Sequence, residues 1–124
     1  MNPISRRTVV KQGCLAAASV AVSSEGETAS VFHAFVFRWK EEATEAQKEQ
    51  AARQIRAFQG VIPGLLQTHA GVNISPKGNG YTFGGIMQFK DQESLDAYVR
   101  HPAHQALLAW LVPLIDAIEL DIHA

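Results

Sequence analysis

One segment constrains the fold more than any other. Residues 31–40, VFHAFVFRWK, are rich in aromatic and β-branched side chains and predict a β-strand. Successive side chains of a strand point to opposite faces, and here both faces are apolar. One face carries Val31, His33, Phe35, Phe37 and Trp39, and the other carries Phe32, Ala34 and Val36.

A single layer of helices can cover only one of these two faces. Burying a large apolar side chain is worth roughly 1.5–3 kcal/mol, so the second face is also expected to be covered. A second copy of the same sheet would provide that cover, which predicts a homodimer. The alternative is a central strand that tolerates some exposed apolar side chains.

The segment after this strand predicts a helix. Thr44 with Gln47 three residues later forms a capping box, which marks the start. Gly60 lies where a C-terminal cap is expected, and Pro63 prevents continuation. Apolar residues recur at helical spacing in between, at Ala51, Ile55, Phe58 and Ile62.

The remaining elements alternate between strands and helices. Strands are predicted at 65–74 and 81–89, joined by a loop at 75–80 that is rich in Gly and Asn. Asp91 or Ser94 then caps a short helix, His101-Pro102 breaks it, and Pro102 opens another helix. Pro113 kinks or ends that helix. The last strand, 117–123, has Ile118, Leu120 and Ile122 on one face.

The resulting order, β-α-β-β-α-α-β, is typical of the ferredoxin-like, split βαβ arrangement. We therefore predict an α+β fold with a four-stranded antiparallel sheet and all helices on one face. With the second copy on the other face, this becomes a dimeric α+β barrel. The domain is expected to span residues 31–124.

The first 24 residues read as an export signal. Ser5-Arg6-Arg7-Thr8-Val9-Val10-Lys11 precedes an alanine-rich apolar stretch that is too short to cross a bilayer. It closely resembles the twin-arginine motif, which directs folded proteins across the membrane. We expect residues 1–24 to be the signal, cleavage between Ala18 and Ser24, and residues 25–30 to be a linker.

The mature protein would then be periplasmic or secreted, and would meet the membrane only during export. One alternative is a frayed N-terminal arm with two chance arginines. Another is lipid attachment at Cys14, although Lys11 and Gln12 fit a lipoprotein signal poorly.

Charge and cysteine content exclude several classes of function. Arg6, Arg7 and Lys11 belong to the signal, so the remaining domain is mildly acidic and lacks basic clusters. This argues against nucleic acid as a partner. Cys14 is the single cysteine, which rules out an intramolecular disulfide and a cysteine zinc site.

The domain resembles the stress-responsive A/B barrel family, a dimeric branch of the ferredoxin-like α+β barrels. The resemblance covers residues 31–124. It is carried by His33, Ile62-Pro63-Gly64, Gly71 with Asn73, Gly80-Tyr81, Phe89, Leu95, Asp121 and above all Tyr98-x-x-His101-Pro102-Ala103-His104. It implies the fold and the homodimer, but no single activity, because most members of the family have no assigned reaction.

A characterised plant polyketide cyclase of this family closes a ring without metal or organic cofactor, using a tyrosine and a histidine. Tyr98 and His104 match those two residues. The departure is the compartment, because that cyclase is intracellular and takes a thioester-derived polyketide. The resemblance therefore implies a candidate catalytic pair, while the reaction stays open.

The chemistry of the pair suits proton transfer next to a carbonyl. An imidazole accepts a proton near neutral pH, and a phenol polarises a carbonyl or holds an enolate. We predict that Tyr98 and His104 share one pocket between sheet and helices. The expected pocket wall comprises His33, Phe35, Phe37, His69, Leu107 and Trp110. The alternative is structural, since His101 and His104 flank a helix start and His33 fits a satisfied core histidine.

Neither a metal nor a cofactor is predicted. The spacing His101-x-x-His104 suits zinc, but a third ligand is not evident. Gly78-Asn79-Gly80 is no phosphate loop, because no helix start follows it. Two functions remain: a dimer that binds a small apolar, carbonyl-containing molecule, or a cofactor-free enzyme of the cyclase or lyase kind. A cofactor-independent monooxygenase is a weaker third option.

Overall fold

A computed structural model describes residues 29–124. The predicted signal segment, and with it Cys14, lies outside the described residues, as does most of the predicted linker. The described chain contains four strands and three α-helices. In chain order they are β1 (Val31–Trp39), α1 (Glu45–Ala57), β2 (Leu65–Val72), β3 (Phe83–Phe89), α2 (Gln92–Arg100), α3 (Pro102–Leu111), a 3-10 turn (Val112–Leu114) and β4 (Ile115–His123).

All three strand pairs are antiparallel, and the order across the sheet is β2-β3-β1-β4. This confirms the predicted α+β, ferredoxin-like sheet. The helices form the second layer on one face, as predicted. None of the helices within residues 29–124 has the length and apolar character needed to cross a bilayer.

Local capping explains where the helices begin. The Thr44 hydroxyl accepts from the Gln47 amide at 3.1 Å, and the Gln47 side chain accepts from the Thr44 amide at 2.9 Å, which confirms the capping box. Asp91, rather than Ser94, caps α2 by accepting from the Ser94 amide at 2.8 Å. Pro102 occupies the first turn of α3, as predicted.

Several boundaries differ from the predictions. Helix α1 ends at Ala57, although Phe58 and Ile62 stay buried in the turns that follow. The hairpin strands β2 and β3 are each two residues shorter at the connecting loop. There the Asn73 side chain bonds within the loop, donating to the Tyr81 carbonyl at 2.7 Å and accepting from the Ser75 amide at 3.0 Å.

The helix face of the sheet is the core side of the domain. Its buried side chains include Val31, His33, Phe35, Phe37, Phe83, Met87 and Phe89, and they pack against residues of the helices such as Ala51, Ile55, Leu95, Tyr98, Leu107 and Leu111. Met87 and Phe89 are fully excluded from solvent. This face contains the hydrophobic core that stabilises the monomer.

The open face is the opposite side of the sheet. The strand register places Phe32, Ala34, Val36, Gln67, His69, Gly71, Gly84, Ile86, Gln88, Ile118, Leu120 and Ile122 on it. Ile118, Leu120 and Ile122 share this face, as the alternation in the last strand predicted, and each is at least 50% exposed. The same register places Arg38 and Asp116 on this face, where they contact each other at one end of β1. The rest of the uncovered side is mostly apolar.

Candidate functional site

The interruption of the helix between α2 and α3 brings Tyr98 and His104 together. Tyr98 lies on the buried face of α2, one turn after Leu95. His101 has an extended backbone that ends α2, and its Nδ1 accepts from the Ala103 amide at 3.0 Å, so it caps α3. The new helix direction then returns His104 to the Tyr98 ring, with 4.2 Å between ring centroids.

The tautomer of His104 follows from its hydrogen bond. Its Nδ1 lies 3.1 Å from the Val99 carbonyl, which can only accept, so Nδ1 carries the proton. The other ring nitrogen, Nε2, keeps its lone pair and has no hydrogen-bond partner within residues 29–124. Gln105 donates to the same Val99 carbonyl at 2.7 Å, so two side chains satisfy this free carbonyl at the end of α2.

Burial sets the protonation states of the pair. Desolvation lowers the pKa of His104 below its usual 6.5, while the Val99 bond acts in the opposite direction. Desolvation also raises the pKa of Tyr98, and the nearby Glu119 carboxylate adds to that increase. At neutral pH the site therefore holds a neutral imidazole next to a protonated phenol.

A second histidine stands beside the pair. His33 is 7% exposed on β1, and its ring centroid is 6.0 Å from that of Tyr98. Its Nδ1 lies 2.5 Å from a carboxylate oxygen of Asp121, which is directly opposite on β4. A carboxylate has no proton to donate, so it accepts from the Nδ1–H of His33. This contact fixes the ring orientation of His33.

These side chains border a cleft of about 80 Å³ between the sheet and the helices. Its apolar wall includes Phe35, Phe37, Leu107 and Leu111, and its polar groups are His33, Tyr98, His104 and Glu119. The structure thus brings together six of the eight residues that the sequence analysis assigned to the site. In chemical terms, the cleft offers an apolar space with a hydrogen-bond donor and a free imidazole nitrogen.

Two of the assigned residues lie elsewhere. His69 pairs with Ile86 on the open face, so the sheet separates it from the cleft, and its Nε2 lies 3.3 Å from the Gln67 side chain. Trp110 projects from α3 towards α1, where its indole N–H donates to Gln54 at 3.1 Å. The prediction that these two residues line the pocket is therefore corrected.

Glu119 also lines the cleft, although it was not among the predicted site residues. It pairs with Phe35 across β1 and β4, and so shares the helix face. The alternation of Ile118, Leu120 and Ile122 already placed Glu119 on the other side of the strand. The missing information was which side the helices cover.

Within residues 29–124, no group of three or more His, Cys, Asp or Glu side chains is placed to hold a metal ion. His101 and His104 both use their Nδ1 atoms for backbone contacts. His101 accepts from the Ala103 amide as a helix cap, and His104 contacts the Val99 carbonyl.

Comparison with known proteins decides the family. The model of the Stress responsive A/B Barrel Domain family matches residues 31–123. The chain belongs to this family. Olivetolic acid cyclase of Cannabis sativa is 32% identical to this A/B barrel protein over 77 residues, which cover 60% of this chain and 76% of the cyclase.

Solved structures share the fold of this A/B barrel protein at lower identity. A dimeric ferredoxin-like protein of unknown function from Thermobifida fusca YX matches with a TM-score of 0.70 and 24% identity, covering 79% of this chain and 93% of its own. Hydroxynitrile lyase from Passiflora edulis matches with a TM-score of 0.71 and 16% identity, covering 78% and 94%. Both likenesses concern the fold.

Proposed function

We propose that the cleft binds a small, largely apolar carbonyl compound and transfers a proton on it without a cofactor. His104 Nε2 accepts a proton from the carbon next to the carbonyl. The C–H electrons move to the carbonyl oxygen, and the resulting enolate accepts a hydrogen bond from the Tyr98 hydroxyl. The enolate carbon then either regains the proton from Nε2 or attacks a second carbonyl carbon. In the second case the new alkoxide oxygen takes the proton from Nε2, which restores the neutral imidazole.

The observation that carries this proposal is the orientation of His104 against Tyr98. The Val99 carbonyl holds the proton on Nδ1, which leaves Nε2 as the basic nitrogen. The lowered pKa keeps His104 neutral at pH 7, and the raised pKa of Tyr98 keeps its hydroxyl a donor. The 32% identity to a protein that is named a cyclase supports catalytic use of the same fold.

Exchange of acidic C–H protons tests the proposal without knowledge of the natural substrate. The full chain is incubated with 4-methylacetophenone in D₂O, and loss of the ketone methyl signal is followed by NMR. We expect exchange above the buffer rate, and a decrease of about 10²–10⁴-fold in His104→Ala. Tyr98→Phe should also slow exchange. The control is His123→Ala, which removes an exposed histidine at the end of β4.

The folding of His104→Ala should be nearly normal, because Gln105 still donates to the Val99 carbonyl. Its melting temperature is measured in parallel. If the wild-type protein exchanges no faster than buffer, or if His104→Ala equals wild type, the proton-transfer function is wrong.

A second candidate is a binding protein that holds such a molecule without changing it. The mostly apolar wall of the cleft favours this candidate, because Phe35, Phe37 and Leu107 can hold an apolar molecule but supply no reactive group. Native mass spectrometry of the purified protein tests it. A co-purifying small molecule together with absent exchange activity would favour binding over catalysis.

We also propose that the protein is a homodimer whose open faces pack together. The open face is apolar, and the Thermobifida fusca relative is described as dimeric. The shape of the face would also allow two copies to fit together. The branched residues of β4 form a ridge, whereas Gly71 and Gly84, paired on β2 and β3, border a groove of about 650 Å³. A two-fold axis can bring the ridge of one protomer into the groove of its partner.

Export through the twin-arginine route is the last part of the proposal. It is supported by the segment from Ser5 to Lys11. Replacing Arg6→Lys and Arg7→Lys together should retain the precursor in the cytoplasm. Fractionation of cells that express both forms measures this, and unchanged periplasmic levels of the double variant would contradict it.

A further inference from the structure

Glu119 is the one acidic side chain on the lining of the cleft, as far as residues 29–124 are concerned. It lies on β4 directly opposite Phe35, which is buried on the helix face. Glu119 is exposed, so its carboxylate lies where the apolar cleft meets solvent. The strand neighbours on its face are Ala117 and Asp121.

Among residues 29–124, no Lys or Arg side chain balances this carboxylate inside the cleft. The two histidines of the lining are His33 and His104. Asp121 adjoins on the same face and contacts His33. Glu119 also acts on His104. Desolvation lowers the pKa of the His104 ring, and the Glu119 carboxylate acts to raise it.

We infer that Glu119 determines the charge of the ligand, so that the cleft accepts neutral or cationic carbonyl compounds and disfavours carboxylates. This rests on the proposed function of the cleft as a carbonyl-binding site. An ammonium group at the solvent side of the ligand would meet Glu119 while its carbonyl meets Tyr98 and His104. A carboxylate in the same place would be repelled. Because solvent screens the charges at such an exposed position, we expect the dissociation constants of cation and anion to differ about tenfold.

Three ketones of matched shape test the inference. They are 4-(aminomethyl)acetophenone, 4-methylacetophenone and 4-acetylbenzoate, which carry a positive, no and a negative charge at pH 7.5. Dissociation constants for the full chain are measured by NMR titration. We expect the cation to bind about tenfold more tightly than the anion, with the neutral ketone between them.

Variants of the strand identify the responsible side chain. Glu119→Gln should bring the three constants within about twofold of one another, and Glu119→Lys should reverse their order. Asp116→Asn is the matched control, because it removes a carboxylate from the same strand, where Asp116 contacts Arg38 rather than the cleft. This control should keep the wild-type order.

A ligand-free measurement adds a second readout. Glu119→Gln removes the influence that raises the pKa of His104, so the imidazole should titrate at lower pH than in wild type, as followed by ring-proton chemical shifts. Asp116→Asn should leave that titration in place.

The outcomes separate this inference from the proposed function. Charge-ordered binding without C–H exchange would support the role of Glu119 and overturn proton transfer. C–H exchange that depends on His104 but is equal for all three ketones would support proton transfer and overturn the role of Glu119. If no ketone binds at millimolar concentration, the inference fails together with the carbonyl site.

Discussion

The two faces of the sheet use similar residues for different purposes. On the helix face, Phe35 and Met87 are 6% and 0% exposed and belong to the core. Their immediate chain neighbours Val36 and Ile86 lie on the open face, where Ile86 is 51% exposed. The difference indicates that the monomer is stabilised from one side only, while the apolar character of the other side fits the homodimer proposed above.

The largest effect is expected from a charge placed on either side of β1. Phe35→Asp should prevent folding, because it removes a core ring and buries a carboxylate, at a cost comparable to the 5–15 kcal/mol by which a domain is stable. Val36→Asp should fold as a monomer. Circular dichroism reports folding and sedimentation reports association. A Val36→Asp protein that is unfolded, or still dimeric, would contradict the comparison.

A smaller contrast is expected on β3. Met87→Ala should cost about 2–5 kcal/mol of unfolding free energy, because the side chain is fully buried. Ile86→Ala should cost less than about 1 kcal/mol when both are measured by denaturant unfolding in the monomeric Val36→Asp background. Similar losses at both positions would show that the open face is packed within the monomer.

The ridge and the groove can be exchanged in size. A side chain at Gly71 meets open space within the monomer, so Gly71→Leu should fold normally but fill the groove. We expect this variant, and separately Leu120→Ala, to weaken the dimer about tenfold. The double variant should recover to within about threefold of wild type. Additive weakening in the double variant would mean that the ridge and groove do not meet.

The smallest effect concerns pH. The pKa of His104 is lowered in the folded state, so the unfolded chain binds more protons below pH 6.5. Stability should therefore be full above pH 6.5 and decrease as the pH falls below that value, by less than about 1 kcal/mol at pH 5.5. His104→Gln should remove this contribution, whereas His69→Gln on the open face should retain it. Thermal unfolding across this pH range measures both.

Much of the fold was predictable because its signals are local. The aromatic and β-branched content of residues 31–39, the Thr44–Gln47 box and Pro102 each define an element from a few neighbouring residues. The ends of β2 and β3 were not predicted, since they depend on the hydrogen bonds of the Asn73 side chain within the loop that joins them. Alternation alone does not include that constraint.

The site was predictable where it is local and unpredictable where it depends on the sheet. Tyr98 and His104 lie on either side of one helix break, and Leu107 follows on the same helix. His69 was predicted to line the cleft but lies on the open face, whereas Glu119 was not predicted and lines the cleft. Strand pairing, and not sequence spacing, decides which face each side chain occupies. For Trp110 the deciding partner was Gln54 on another helix.

The joint between α2 and α3 also shapes how such a protein can evolve. The Tyr98–His104 pair is specified by one short stretch of chain, residues 98–104, and its geometry depends on a proline and a backbone carbonyl. The cleft wall comes from β1 and β4, which are distant in sequence. Substitutions in those strands can alter ligand preference while the pair is inherited unchanged, so one scaffold can diversify its chemistry by small steps.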